Sequence, residues 1–218
     1  MSPAVPSLAS PPDLSPWFTH IKELPPPPLA LSAFFENDHP VELEVGTGRG
    51  LFLTTAGEAH PEINFLGIEC DLKEARRAAT RFQKRQYPNV RLVGGDANVF
   101  LPRYLPTGSM QAVHVYFPDP WWKKRHRKRR IFNPAFVAEC ARLIPPGGLL
   151  HSWTDVAEYF TVICSQINIS PAFRELPPPE EREASHDMDY HTSYERKKRK
   201  EGLPIYRARW ERLPLAPQ

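Results

Sequence analysis

A short apolar segment followed by three alternating glycines constrains the fold of this chain more than any other feature. Val41–Val45 has the length and composition of a buried strand, and Gly46, Gly48 and Gly50 follow it at every second position. A helical pattern then begins at about Leu51. Glycines at these positions let the backbone turn tightly and leave no side chains to block a ligand at the end of the strand. The segment therefore predicts a ligand-binding loop between a strand and a helix.

The rest of the chain repeats this alternation of short apolar segments with longer helical stretches. Such a pattern is typical of a parallel sheet covered by helices on both faces, so we predict an α/β fold. The predicted strands are residues 41–45, 64–69, 90–93, 112–116, 149–153, 173–176 and 203–212. The predicted helices begin near residue 51 or cover residues 73–86, 134–143 and 156–169. The connection over residues 177–202 is longer than a passive loop in a compact domain, which indicates a functional or mobile segment.

Prolines divide the chain into a leader and one domain. Ten of the 26 prolines fall in residues 1–40, and proline blocks regular structure because it carries no amide donor. We expect residues 1–40 to form a proline-rich, partly mobile leader and residues 41–218 to form a single domain. With 218 residues, 41% of them hydrophobic, the chain is long enough for one large core.

Composition also limits the cellular setting and the metal chemistry. The three cysteines, Cys70, Cys140 and Cys164, lie far apart and form no CxxC pair, so neither a disulfide framework nor a zinc site is predicted. No stretch has the continuous apolar length of a signal peptide or a membrane span. We therefore expect a cytoplasmic protein that binds neither a membrane nor a metal.

Positive charge is concentrated in two short runs. Residues 123–130, which we call the cationic strip, contain seven Lys or Arg residues and His126, and residues 196–200 contain five more. Without these 12 cations the net charge changes from +3 to −9, so the basicity is local. The strip directly follows the aromatic and proline-rich segment FPDPWW, residues 117–122. A local cationic face beside a structured loop favours binding of a polyanion.

Three acidic residues fall at the ends of successive predicted strands. Glu44 lies near the end of the first strand, Glu69 ends the second and Asp96 follows the third. Carboxyl ends of parallel strands meet at one edge of a sheet, where open α/β sheets bind ligands. A buried Glu44 needs a partner, which the sulfonium and amino groups of S-adenosylmethionine provide, whereas the pyrophosphate of NAD would be repelled. Because Glu69 is placed for the ribose hydroxyls and Asp96 for the adenine amino group, S-adenosylmethionine is the expected cofactor.

A set of motifs carries a family resemblance: VELEVGTGRG, NFLGIE, GGDA and FPDPWWKKRHRKRR in this order, then HTSYERKKRKEGLPIY near the end. The chain resembles the bacterial-type tRNA (guanine-N(7)-)-methyltransferases from about residue 17 to residue 212. This resemblance implies a class I S-adenosylmethionine-dependent methyltransferase fold, Rossmann-like, with a seven-stranded, mostly parallel sheet. It also implies methyl transfer to N(7) of a guanine in the variable loop of tRNA, which is the expected partner.

The residue pattern and the resemblance together imply roles for individual site residues. The expected cofactor-binding residues are Glu44, Gly46, Gly48, Gly50, Glu69, Asp96 and Asp119. Asp119 is also the expected catalytic residue. The expected tRNA-binding residues are Lys123, Arg125, His126, Arg127, Lys128, Arg129, Arg130, Asp155, Thr192, Ser193, Tyr194 and Glu195.

The chemistry of guanine N(7) suits a positioned carboxylate. This nitrogen already carries an unprotonated lone pair, so its methylation needs no general base, and positioning and electrostatics should dominate. Asp119 would accept hydrogen bonds from N1–H and the exocyclic amino group of the base and balance the positive charge that develops on the ring. Pro118 and Pro120 would stiffen the loop, and Trp121 or Trp122 would stack on the base.

Three other activities fit parts of the sequence. An amino-directed methyltransferase is one, because DPW resembles the Asp/Asn-Pro-Pro-aromatic loop that holds an exocyclic amine, although here tryptophan follows a single proline. An inactive RNA-binding protein of the same fold is another, and retention of all four acids argues against it. A nicotinamide dehydrogenase is disfavoured, because GxGxG differs from the dinucleotide fingerprint GxGxxG and Glu44 would oppose a phosphate.

Overall fold

Eight strands form one sheet in the computed structural model, which describes residues 13–179, 190 and 192–214, the side chain of Ser193 excepted. The strands are β1 (Phe18–His20), β2 (Val41–Val45), β3 (Asn64–Glu69), β4 (Val90–Gly94), β5 (Ala112–Tyr116), β6 (Leu149–Thr154), β7 (Phe173–Leu176) and β8 (Tyr206–Arg212). Their order across the sheet is β1-β4-β3-β2-β5-β6-β8-β7. Neighbouring strands are parallel except that β8 runs antiparallel to both β6 and β7.

Seven α-helices lie between or beside these strands in the described residues. They are α1 (Leu31–Phe35), α2 (Leu51–Ala59), α3 (Leu72–Arg85), α4 (Ala97–Tyr104), α5 (Pro134–Leu143), α6 (Ala157–Asn168) and α7 (Ser193–Lys200). Two short 3-10 helices cover Ile21–Glu23 and Lys124–Arg129. Side-chain caps start several α-helices: Asp71 accepts from two backbone amides of α3, and Asn133 caps α5 ahead of Pro134. Across the described ranges, every helix is too short or too polar to cross a membrane.

Helices cover both faces of the sheet, as the alternating pattern predicts. Leu53 of α2 and Phe82 of α3 belong to one cluster of buried side chains. Phe100 of α4, Val137 of α5 and Ile163 of α6 belong to a second cluster. Strand β3, in the interior of the sheet, is buried along all six residues, because helices cover both of its faces.

Gly50 allows α2 and α3 to approach each other closely. Its φ is 66°, and a Cβ at this position would lie 2.6 Å from the Phe82 ring and 3.0 Å from the Ala78 Cβ. A larger residue would therefore clash with α3 as well as strain the backbone. The packing of α2 against α3 therefore requires a glycine at the last position of the loop.

All seven predicted strands are present as β2 to β8, and an eighth strand corrects the predicted count. This strand, β1, comes from the proline-rich segment and pairs in parallel with β4, with Phe18 opposite Leu92. Next to it, the Trp17 indole N–H donates to the carbonyl of Tyr87 at 2.7 Å. Part of the segment expected to be a leader is therefore packed against the sheet, while residues 1–12 lie outside the described residues.

Candidate active site

A cavity of about 820 Å³ opens at the carboxyl end of β2, beside β5. The chain passes from β2 to β3 and β4 on one side, whereas β5 and β6 lie on the other side of β2. The cavity thus lies at the topological switch point, where open α/β sheets bind ligands. Its wall combines the glycine loop with the ends of β2 and β5 and with residues of α7.

Contacts with β3 hold the glycine loop in place. The amide of Gly46 donates to the carbonyl of Ile68 at 2.9 Å. One oxygen of Glu69 accepts from the amide of Gly48 at 2.7 Å, and the other accepts from the amide of Asp71 at 2.8 Å. Because each carboxylate oxygen has two lone pairs, a ribose contact at Glu69 would be made in addition to these bonds.

Glu44 brings a buried carboxyl group to the cavity wall. It is 3% exposed, and its Oε2 has no hydrogen-bond partner among the described residues. Burial, and then the nearby carboxylate of Glu69, raise the pKa of Glu44 well above its usual value. A buried carboxylate without a partner is costly, and a cationic ligand group would relieve that cost. Glu44 therefore fits the ammonium or sulfonium group of S-adenosylmethionine.

The expected cofactor residues divide into two groups. Those that line the cavity are Glu44, Gly46 and Gly48. Those outside its wall are Gly50, Glu69, Asp96 and Asp119. Asp96 caps α4, since its Oδ1 accepts from the backbone amide of Asn98 at 2.9 Å and from the side-chain amide of the same residue at 3.0 Å. Its contact with adenine stays a prediction.

The loop over residues 117–121 leaves β5 in a strained conformation. Phe117 and Trp121 have φ angles of 50° and 44°, which large side chains rarely adopt. Each such residue costs about 1–3 kcal/mol, so the surrounding contacts must hold it in place. One of these contacts runs from the amide of Phe117 to the carbonyl of Trp153 at 2.8 Å. Asp119 is exposed between the two strained residues.

Arg130 braces the other end of this loop. Its Nε donates to the carbonyl of Pro120 at 2.7 Å, and its guanidinium lies 4.8 Å from the centre of the Tyr159 ring. The tRNA contact expected of Arg130 stays a prediction. What the structure adds is a contact that orients the loop carrying Asp119.

The cationic strip lies largely in a 3-10 helix, and much of its charge faces outward. Its exposed members are Lys123, Lys124, Arg125, Arg127, Lys128 and Arg129. The guanidinium of Arg129 lies 5.0 Å from the Trp121 ring centre, and His126 meets the same ring edge-on at 5.7 Å. Trp121 is therefore held by the strip itself, whereas Trp122 is 57% exposed. Of the two indoles, Trp122 is the better placed to stack on a base.

Helix α7 contributes another wall of the cavity. Thr192 caps this helix by accepting from the amide of Glu195 at 3.0 Å. The Tyr194 ring stacks on Phe117, with 5.9 Å between ring centres, and so joins α7 to the loop after β5. The cations of α7 that line the cavity are Arg196, Lys197 and Lys200.

Two acidic residues expected to contact tRNA are paired with cations of the protein. Glu195 is 2% exposed and contacts Arg199 Nε at 3.1 Å and Arg207 Nη2 at 3.5 Å. Asp155 Oδ2 lies 3.1 Å from Lys198 Nζ. These ion pairs fasten α7 to the β6 and β8 side of the sheet. A contact of tRNA with Asp155 or Glu195 would have to be added to these pairs or replace them.

Several residues of the cavity wall were not predicted from the sequence. They are Thr47, Arg49, Leu51, Phe52, Glu74, Tyr116, Phe117, Arg196, Lys197, Lys200 and Glu201. Thr47 and Arg49 could have been predicted, because they lie inside the glycine loop. Phe52 and Tyr116 could not, because their sequence context is that of ordinary core residues. In the ranges that the structure describes, no group of three or more His, Cys, Asp or Glu side chains is arranged to hold a metal ion.

The architecture has close counterparts among solved methyltransferases. The crystal structure of the 16S rRNA methyltransferase KamB matches with a TM-score of 0.62 over 84% of this chain and 93% of that chain. The aminoglycoside resistance methyltransferase NpmB1 matches with a TM-score of 0.56 over 84% of this chain and 92% of that chain. Both are 15% identical in sequence, so the likeness shows the fold alone.

Sequence comparisons identify the family. Residues 38–208 match the family model Methyltransf_4, described as "Putative methyltransferase". A tRNA (guanine-N(7)-)-methyltransferase of Rhodopirellula baltica is 42% identical over 201 residues, covering 89% of this chain and 74% of the relative. One of Listeria innocua is 37% identical over 180 residues, covering 79% of this chain and 80% of the relative. With the cavity at the switch point, these matches show that the chain belongs to the tRNA (guanine-N(7)-)-methyltransferase family.

Proposed function

We propose that this protein transfers a methyl group from S-adenosylmethionine to N(7) of a guanine in the variable loop of tRNA. The observation that carries the proposal is the buried carboxyl group of Glu44 at the topological switch point, whose Oε2 has no hydrogen-bond partner among the described residues. A carboxylate there suits a cationic ligand and would repel the pyrophosphate of a dinucleotide. The family relation and the cationic strip support tRNA as the methyl acceptor. Because tRNA is the proposed substrate, we also propose a cytoplasmic location.

The residues around the cavity match the parts of the donor. When bound, S-adenosylmethionine supplies a methyl group attached to a positively charged sulfur. Glu44 balances positive charge of the donor, and the glycine loop lets it lie across the end of β2 without steric hindrance. Glu69 and Asp96, at the ends of β3 and β4, are the proposed partners of the ribose and the adenine.

Asp119 is the proposed electrostatic and positioning group for the guanine. Its loop is held in a strained conformation by the hydrogen bond from Phe117 to Trp153 and by the hydrogen bond from Arg130 to Pro120. Because the loop is fixed before the substrate arrives, Asp119 needs little reorganisation to accept from N1–H and the exocyclic amino group. The same carboxylate balances the positive charge that forms on the base.

Trp122 should stack on a nucleobase of the bound tRNA. Replacing Trp122 by alanine should weaken tRNA binding roughly five- to 150-fold, because stacking of one base on an aromatic ring contributes about 1–3 kcal/mol. Trp122→Phe should retain most of the affinity, since it keeps an aromatic face. Fluorescence anisotropy with labelled tRNA measures the effect. The control is Ile169→Ala, which removes a 75% exposed apolar side chain at the end of α6. Wild-type affinity in Trp122→Ala would contradict the prediction.

The cationic strip should bind phosphates of the RNA in a way that weakens with salt. Replacing Arg125, Arg127 and Lys128 by glutamine should reduce the slope of log affinity against log salt by roughly 0.7–0.9 for each phosphate that is no longer neutralised. Affinities measured at a series of salt concentrations give this slope. The matched control neutralises Lys22, Arg103 and Arg174, three exposed cations outside the strip. An unchanged slope in the strip variant would mean that these side chains face away from the RNA.

The modified nucleoside decides between the proposal and its alternatives. The protein is incubated with unfractionated tRNA and labelled S-adenosylmethionine, and the tRNA is then digested to nucleosides and separated. We expect label in N(7)-methylguanosine. Label on an exocyclic amino group would instead identify an amino-directed methyltransferase. Binding of tRNA without any incorporation would identify an inactive RNA-binding protein.

A further inference from the structure

Two neighbouring strands bring four polar side chains into one buried patch beside the cavity. Glu44 of β2 lies opposite His114 of β5, and side chains at every second position share a face of the sheet. Glu42 and Tyr116 therefore lie on the same face as this pair. The Phe52 ring packs against this patch, 4.6 Å from His114 and 5.1 Å from Tyr116 between ring centres. Polar groups buried here need hydrogen-bond partners or a ligand.

Hydrogen bonds connect three of these side chains, and their direction depends on which His114 nitrogen carries the proton. His114 Nε2 lies 2.8 Å from Glu42 Oε2, and His114 Nδ1 lies 2.9 Å from the Tyr116 hydroxyl. When the Glu42 carboxylate only accepts, Nε2 of His114 donates to it. In the neutral imidazole Nδ1 is then the acceptor, and the Tyr116 hydroxyl donates to it. The lone pairs of the Tyr116 oxygen are left to accept from another group.

The Tyr116 oxygen and Glu44 are two acceptors at one wall of the cavity. Both residues line it, and Glu44 Oε2 has no hydrogen-bond partner in the described part of the chain. Burial, followed by the negative charges of Glu44, Glu42 and Glu195, raises the pKa of the Tyr116 hydroxyl well above its usual value. The hydroxyl therefore stays protonated, with its proton directed to His114. An ammonium group, which has three donors and no acceptor, complements this pair.

We propose that the Tyr116 oxygen, together with Glu44, accepts hydrogen bonds from the ammonium group of the methyl donor. His114 and Glu42 are positioning residues, because they keep the Tyr116 proton turned away from the donor. Without His114 this proton would turn toward Glu44 and occupy the carboxylate that the donor needs. The inference rests on the donor site proposed above and names a residue of that site which no sequence motif indicates.

Two ligands that differ in the ammonium group test this arrangement by calorimetry. S-adenosylhomocysteine carries the ammonium group, whereas 5′-methylthioadenosine has the adenosine and the thioether but no amino-acid part. Tyr116→Phe should weaken S-adenosylhomocysteine binding by about tenfold or more, because it removes a hydrogen bond to a charged group. The same variant should bind 5′-methylthioadenosine as the wild type does. His114→Phe should show the same selective loss.

Another buried tyrosine, Tyr104, provides a matched control. Tyr104→Phe also removes a hydroxyl from a buried tyrosine, one that donates to the carbonyl of Ile21 at 3.4 Å, and should leave both affinities unchanged. Unchanged S-adenosylhomocysteine binding in Tyr116→Phe would overturn the inference. Equal loss of both ligands would also overturn it, because the hydroxyl would then serve the fold alone. If the wild-type protein binds neither ligand, the proposed function itself fails.

Discussion

Replacing Asp119 by alanine should lower the rate of tRNA methylation roughly 10²- to 10³-fold, the effect typical of removing one preorganised electrostatic interaction. The dissociation constant for tRNA should change by less than about threefold, because phosphate contacts hold the RNA. Asp119 is exposed in a loop fixed by its neighbours, so its removal should spare the fold. Single-turnover kinetics with saturating donor measures the rate, and anisotropy with labelled tRNA measures the affinity.

Two further variants separate charge from loop geometry. Asp119→Asn keeps the size of the side chain and removes its charge, so it should lose nearly as much rate as Asp119→Ala. Asp38→Asn makes the same chemical change at an exposed position before the amino end of β2, away from the cavity, and should leave the rate unchanged. Full activity in Asp119→Ala would remove Asp119 from the catalytic role.

Replacing Glu44 by glutamine should weaken binding of S-adenosylhomocysteine by roughly ten- to 150-fold, because a hydrogen bond to a charged group contributes about 1.5–3 kcal/mol. Glutamine keeps the size of the side chain but cannot balance a positive charge. Titration calorimetry gives the affinity directly. The comparison variant is Glu36→Gln, since Glu36 is an exposed glutamate at the end of α1. Wild-type affinity in Glu44→Gln would mean that the donor binds elsewhere.

The same substitution should change how the free protein responds to pH. The pKa of Glu44 in the folded protein is raised above the usual 4.5, so the folded state holds this proton more tightly than the unfolded state does. The free energy of unfolding of the wild type should therefore fall as pH rises from 4.5 through the raised folded-state pKa. Glu44→Gln has no such proton to lose. In thermal unfolding without ligand, the stability of the variant relative to the wild type should increase as pH rises over this range. If the stabilities of the two proteins change with pH by the same amount, the raised pKa of Glu44 is wrong.

The sheet was predictable because its signals are local. Strands such as Val41–Val45 and Asn64–Glu69 are short apolar segments, and the helices behind most of them have long amphipathic or capped sequences. Once the strands are located, the positions of the glycine loop and of the acidic residues at the strand ends can be predicted as well. The strand β1 was missed because its three residues sit among prolines, and only pairing with β4, more than 70 residues away, makes them a strand.

Helix α7 shows why part of the site could not be predicted. Its sequence SYERKKRK has no apolar stripe, so it reads as a charge run rather than as a helix. The cap at Thr192 and the ion pair between Lys198 and Asp155 support the helix, and the second of these contacts joins distant parts of the chain. Tyr116 was missed for a similar reason, because its role depends on neighbours across the strand rather than on a motif.

The strand β1 also determines which backbone groups are exposed at one edge of the sheet. β4 is buried along all five residues, and β1 covers the side of β4 that would otherwise end the sheet. An apolar strand with a bare outer row of amides and carbonyls is a template for pairing with another molecule. Removal of β1 would uncover that row of β4. We therefore expect β1 to limit edge-to-edge aggregation, because it leaves a strand of only three residues at this edge of the sheet.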